Sequence, residues 1–285
     1  TRAAIPLSLA AVLLAAMVTA AAAILWQRSP EKTDQHREPG SPARLPAAGG
    51  WYTEGGTRNC TRYQSWPSTR RIEKPAFRQV WSVPGDVALA GDVDGDGRHE
   101  VILSNRSRLS VLERDGRVKW SHVLQAKNAR LNLLHDFNSD SIPEIVAAWT
   151  QENEGYAGIF DGAGDTVRTI VIPFDAPGKF TFNVRAVARL EPQGDFQLIF
   201  ATRAAWGLKP RGVGRIDYAG GRLEWYVPMA QYVYDVAVEE LRRSDRRCII
   251  VSGYGIANGA RTDKWNDSHA YIHALSTDGS ELWSK

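Results

Sequence analysis

Two stretches of the sequence place oxygen-bearing side chains at a regular spacing. In DVDGDGRHE, residues 92–100, Asp92, Asp94, Asp96 and Glu100 hold positions 1, 3, 5 and 9. In DFNSDSIPE, residues 136–144, Asp136, Asn138, Asp140 and Glu144 hold the same positions. Alternate residues of a tightly curled loop point inward together, so three oxygen side chains converge in each. The carbonyl at position 7 (Arg98 or Ile142) adds a ligand, and the carboxylate at position 9 closes the shell. A hard, oxygen-only set of this kind suits Ca²⁺, whose ligands lie at about 2.3–2.6 Å. Without a cation, the four carboxylates of the first loop repel one another. Gly95 and Gly97 let the first loop curl, whereas the second has Ser139 and Ser141 there and a neutral oxygen at Asn138. The competing reading is a pair of solvated acidic turns.

Each loop delivers the chain into an apolar run, and two weaker copies of the pattern follow. RLEPQGDFQLIF begins at 189 and ELRRSDRRCIIV at 240, continuing the series that starts at 92 and 136. The third copy offers Arg189, Glu191, Gln193 and Gln197, the fourth Glu240, Arg242, Ser244 and Cys248, so neither holds a metal in this way. A second signature recurs downstream: a turn glycine, three residues, then tryptophan. It appears as Gly116 to Trp120, Gly221 to Trp225 and Gly279 to Trp283, while the second copy pairs Gly164 with Arg168. Asp-Gly between alternating runs, as in SVLERDGRVKW and HALSTDGSELW, marks a hairpin.

Each copy parses as four short strands; in the first they fall near 87–90, 100–104, 109–114 and 117–121. Units of four strands repeating every 40–50 residues are the mark of β-propeller blades. The expected fold is all-β, a propeller of about four visible blades belonging to a larger ring, with a β-sandwich as the alternative. The runs VIL, EIVAAW, LIFA and CIIV suit central strands buried on both faces, and Trp120, Trp225 and Trp283 are expected to fill the wedges between blades. FRQVW, residues 77–81, reads as the end of a still earlier copy.

The loops DVDGDGRHE and DFNSDSIPE resemble the calcium loops of FG-GAP/VCBS repeats, the blades of integrin-α-type propellers and many bacterial surface proteins. The endings GRVKW, GRLEW and GSELW resemble those of PQQ-type propeller repeats, as packing signatures that do not bring the quinone with them. The resemblance covers about residues 77–285. It implies a ring of seven or a similar number of blades, bound Ca²⁺, and adhesive, sensory or carbohydrate-related roles. Because four copies and a strand rarely close such a ring, further blades are expected beyond Lys285.

Ahead of the repeats, residues 3–26 contain no charge. A helix of that length crosses a hydrocarbon core of about 30 Å, so 1–26 reads as a transmembrane anchor, or alternatively as a cleaved secretory signal. Residues 27–76 begin with a Pro-, Gly- and charge-rich tether. Either reading of the helix carries the repeats across a membrane, to a cell surface or periplasm, although the basic residues after the helix outnumber the one before it. Residues 51–285 carry 30 basic and 29 acidic side chains, a balance that disfavours nucleic acid. Cys60 and Cys248 are the only cysteines, which excludes multi-cysteine zinc modules and leaves a disulfide between them open. His269 and His273 are expected on a half-exposed strand face with Tyr271. The sequence contains no Gly-x-Ser-x-Gly, His-Glu-x-x-His, P-loop or dinucleotide motif. The leading expectation is a calcium-binding module whose ring face takes a protein or glycan. The alternative is a propeller-fold polysaccharide lyase or hydrolase with channel residues brought together from distant positions.

Overall fold

The computed structural model describes residues 79–285 apart from 80, 125, 127, 176–178, 192, 205–208 and 241–246. Every described residue belongs to one compact unit, within Pro46–Lys285. The apolar segment 1–26, the tether 27–76 and Cys60 lie outside the described residues. No helix among the described residues is long and apolar enough to cross a membrane.

The described residues are all-β: four successive antiparallel sheets, each a meander of four strands, as in propeller blades. Blade A holds β1 (Val87–Gly91), β2 (Glu100–Asn105), β3 (Arg108–Leu112) and β4 (Val118–Val123). Blade B holds β5 (Arg130–His135), β6 (Glu144–Gln151), β7 (Glu154–Phe160) and β8 (Thr166–Pro173). Blade C holds β9 (Thr181–Arg189), β10 (Phe196–Arg203), β11 (Gly212–Asp217) and β12 (Arg222–Pro228). Blade D holds β13 (Tyr232–Glu240), β14 (Arg247–Tyr254), β15 (Ile272–Leu275) and β16 (Glu281–Ser284). Successive blades meet through their first strands, β1 against β5, β5 against β9, and β9 against β13.

The apolar cores lie between sheets rather than within them. In β6, Ile145, Ala147 and Trp149 face blade A and join Leu89, Ile102 and Val111, whereas Val146 and Ala148 face blade C. In β10, Leu198 and Phe200 turn to blade B, and Ile199 and Ala201 turn to blade D. This is why the second strand of a blade reads as an unbroken apolar run: both of its faces are core. The outermost strands carry exposed and half-buried residues instead.

The Gly-x-x-x-Trp signature has a specific job. Trp120 lies on Gly164 of the next blade and donates its indole N–H to the Gly162 carbonyl at 2.8 Å. Trp225 lies on Gly279 and donates to Thr277 at 3.0 Å. Trp81 lies on Gly116 and donates to Arg114 at 2.9 Å, so it acts as the docking residue of an earlier copy. A Cβ on any of these glycines would stand 2.8–2.9 Å from the ring. Arg168 takes the tryptophan's place over Gly221, with its guanidinium bonded to the Ala219 carbonyl at 2.8 Å. In every blade the residue before the docking side chain is a β-bulge: Lys119, Val167, Glu224 and Leu282 have no partner in the register. The bulge bends the outer strand and swings the next side chain toward the neighbouring blade. Trp283, expected in a wedge, is 48 % exposed.

Candidate functional site

The two acidic loops connect the first and second strands of blades A and B, and they are built bond for bond alike. The position 1 carboxylate clamps two backbone N–H groups. Asp92 Oδ1 and Oδ2 accept from Gly95 and Gly97 at 2.8 and 2.9 Å, and Asp136 accepts from Ser139 and Ser141 at 2.6 and 2.9 Å. Position 3 accepts from the N–H of position 5, Asp94 from Asp96 at 3.1 Å and Asn138 from Asp140 at 2.9 Å. Position 5 accepts from position 7, Asp96 from Arg98 at 2.8 Å and Asp140 from Ile142 at 2.7 Å. The glutamate at the start of the second strand reaches back to position 2, Glu100 to Val93 at 3.0 Å and Glu144 to Phe137 at 2.9 Å.

That curl needs left-handed backbone at positions 4 and 6. Gly95 and Gly97 have φ of +76° and +83°, and Ser139 and Ser141 follow the same path at +66° and +74°. The serines adopt a conformation that costs a residue with a Cβ about 1–2 kcal/mol. Gly95 has a second reason to be glycine, since a Cβ there would stand 2.5 Å from Ile142 Cδ1 of the second loop. Gly162, at the β7–β8 turn of blade B, presses on the first loop so closely that a Cβ would lie 1.7 Å from the Val93 carbonyl oxygen. The first loop is thereby braced from the neighbouring blade.

Carboxylate oxygens of Asp92, Asp94 and Glu100 lie within 4.8 Å of one another, the separation that a single cation spans. Asp96 is exposed and stands outside this group, and Arg98 and Ile142 occupy exposed and half-buried loop positions respectively. Burial pushes the Glu100 carboxyl above the ordinary carboxylate range; the Val93 N–H opposes this and the charges of Asp96 and Asp92 add to it. Glu144 is raised in the same way, first by burial, with Phe137 opposing and Asp140 and Asp136 adding.

Each loop holds a donor against this crowding. In the first, the ammonium of Lys119 bonds Asp94 Oδ2. Lys119 is the bulge residue of β4, which is how an outer-strand side chain reaches a loop 25 residues earlier. In the second, the Asn138 amide donates to both Asp140 and Glu144 at 2.9 Å. Asp94, Lys119, Asn138, Asp140, Glu144 and Tyr218 border a shared cavity of about 540 Å³. Sequence reasoning missed Lys119, because only the strand register shows it to be the bulge residue that faces the loop.

In the third copy the corresponding positions make contacts within the protein. Gln197, in the place of Glu100, is buried and accepts from the Arg215 guanidinium at 2.8 Å. Arg189 lies over the Phe196 ring at 4.4 Å. In the fourth copy Cys248 is buried at the equivalent place, and 241–246 lie outside the described residues. His273 departs from expectation: it is buried, with Trp265 edge-on at 4.6 Å, while His269 is exposed.

No protein-family description matches the chain, and no curated protein matches it in sequence. Among solved structures, the V. cholerae biofilm matrix protein Bap1 aligns at 20 % identity and a TM-score of 0.45, over 70 % of this chain and 28 % of its own. BBS1N, solved in complex with ARL6DN, aligns at 15 % identity and 0.42, over 74 % of this chain and 71 % of its own. A Bacillus licheniformis rhamnogalacturonan lyase aligns at 14 % identity and 0.40, over 70 % and 50 %. The chain thus spans just over a quarter of the first of these and half of the third. None reaches a TM-score of about 0.5, and the propeller-blade fold rests on the strand order and inter-sheet cores described above.

Proposed function

We propose that the chain is a calcium-binding propeller module of FG-GAP/VCBS type, tethered outside the cytoplasm by residues 1–26 and binding a protein or glycan. The observation that carries this reading is the pair of loops with one hydrogen-bond pattern, in which Asp92, Asp94 and Glu100 already bring their oxygens within 4.8 Å. The donor set fits a hard dication. Asp92, Asp94, Asp96, Glu100 and the Arg98 carbonyl would hold it in the first loop. Asp136, Asn138, Asp140, Glu144 and the Ile142 carbonyl would hold it in the second. Calcium would take the oxygens that the Lys119 ammonium and the neutral Asn138 amide hydrogen-bond, so both side chains swing away or turn on loading. Bound calcium stiffens the loops at one end of the blades.

The test is thermal unfolding of the full-length chain with and without calcium. At about 100 times the dissociation constant, a ligand bound only by the folded state adds roughly 2.7 kcal/mol. Millimolar Ca²⁺ is expected to raise Tm by several degrees, and the double substitution Asp94→Ala, Asp96→Ala to remove most of that rise. A melting curve that chelator leaves unchanged would end the calcium reading.

A further inference from the structure

At the end of the blades opposite the acidic loops, the first strands carry a second series of bulges. Asn132 in β5, Arg185 in β9 and Tyr234 in β13 each lack a register partner. Each of the first two reaches the next blade. Asn132 Oδ1 accepts from the Val184 N–H at 2.9 Å, and Arg185 Nη2 donates to the Tyr234 carbonyl at 2.8 Å. The junction between blades C and D has more. Arg203, the last residue of β10, donates its own Nη2 to the same Tyr234 oxygen at 2.7 Å.

Two guanidinium groups are therefore drawn together on one neutral carbonyl. Among the described residues no carboxylate lies within ion-pair distance of either, and each uses a single N–H of its five on a protein acceptor. The Nε atoms of both are buried without a partner. Like charges held this close repel unless an anion sits between them. The surroundings are aromatic. Tyr232 lies beneath the Arg203 guanidinium at 5.5 Å, and Tyr254 flanks Tyr232 at 5.1 Å between ring centres. Tyr234 stands 6.3 Å from Tyr254, and the two are 64 % and 39 % exposed.

We infer that Arg185 and Arg203 form a carboxylate-binding site at the junction of blades C and D, flanked by Tyr234 and Tyr254, that takes uronate units of an acidic saccharide. The paired guanidinium groups bind the carboxylate through N–H groups the protein leaves unused. The exposed rings offer what a pyranose needs and an acidic peptide side chain does not: an apolar face for its C–H bonds beside phenolic hydroxyls for its own. This inference rests on the binding-module reading and names its ligand class, yet it involves none of the calcium-loop residues.

The experiment titrates the full-length chain with sodium D-glucuronate, D-glucose and L-glutamate, followed by ligand-observed NMR in the presence of calcium and again with chelator. Glucuronate is expected to bind saturably, glucose and glutamate about tenfold more weakly or not at all, and raised salt to weaken binding. Arg203→Gln is expected to lower glucuronate affinity about tenfold, and Tyr254→Ala, at an exposed ring whose removal leaves the fold intact, to lower it severalfold. Wild-type affinity in Tyr254→Ala, or in an Arg203→Gln protein of unchanged Tm, overturns the site. Glutamate binding as tightly as glucuronate overturns the saccharide and points to an acidic peptide. Binding that chelator abolishes places the ligand at the calcium loops and refutes the site as drawn. Calcium-dependent melting with no glucuronate binding refutes this inference alone and leaves the calcium module standing.

Discussion

Substituting Gly164 by alanine isolates one of the contacts that join blade A to blade B, the docking of Trp120. Gly164 has φ of +93°, and a Cβ there would lie 2.9 Å from Trp120 Cδ2. Two costs follow. A residue with a Cβ held in the left-handed region loses about 1–2 kcal/mol. The indole must also withdraw, losing its 2.8 Å bond to the Gly162 carbonyl, which is worth roughly 0.5–1.5 kcal/mol. The expected destabilisation is thus about 1.5–3.5 kcal/mol, or a Tm lowered by roughly 5–10 °C for a domain of this size. Gly259→Ala is the control, because Gly259 has φ of +95° with no atom within 4 Å of an added Cβ, so only the backbone cost applies. Urea unfolding followed by tryptophan fluorescence and by circular dichroism measures both. Equal losses in the two variants would show that the indole adds nothing to the junction, and the docking account would be wrong.

Arg168→Trp restores the docking residue that blade B lacks; an indole on Gly221, bonded to the Ala219 carbonyl, is expected to raise stability by about 1 kcal/mol, and an unchanged urea midpoint counts against it. Ser141→Gly relieves a side-chain-bearing residue at φ of +74° and is expected to stabilise the calcium-free protein by about 0.5–1 kcal/mol once the added chain entropy is offset, which the same unfolding curve checks. Burial lowers the pKa of His273 below 6.5, with Glu281 at 3.8 Å pulling it back up. Because the folded value is the lower one, the unfolded chain binds more protons as pH falls, so stability is full above pH 6.5 and declines below it. Tm should therefore fall more steeply between about pH 6.5 and 5.5 in the wild type than in His273→Asn, and parallel curves would refute that assignment.

Local pattern in the sequence located the loops at 92–100 and 136–144, the apolar second strands and the tryptophans that dock, because each depends on residues within one hairpin. Contacts set by register were not legible. Nothing in the run GRVKW says that Lys119 is the extra residue of its strand, and only that bulge turns its ammonium toward Asp94. Asn132, Arg185 and Tyr234 have no common residue type, so their equivalence emerges only from strand pairing. His273 was expected on a half-exposed face because alternation within β15 says nothing of Trp265, which arrives from the long β14–β15 connection and covers it. That Arg168 stands in for tryptophan was visible as a gap in the pattern, but its bond to Ala219 was not.

The placement of the apolar cores between blades explains how loops of such different composition sit on one repeated fold. A sheet whose hydrophobic faces both belong to its neighbours is held by what lies on either side, in the manner of a course of bricks. The connection at its tip bears little weight, so its residues can differ from blade to blade, as in the third copy, where an arginine and a glutamine meet in place of the glutamate's contact. New binding chemistry can therefore arise at the blade tips one sheet at a time, while the masonry beneath stays as it was.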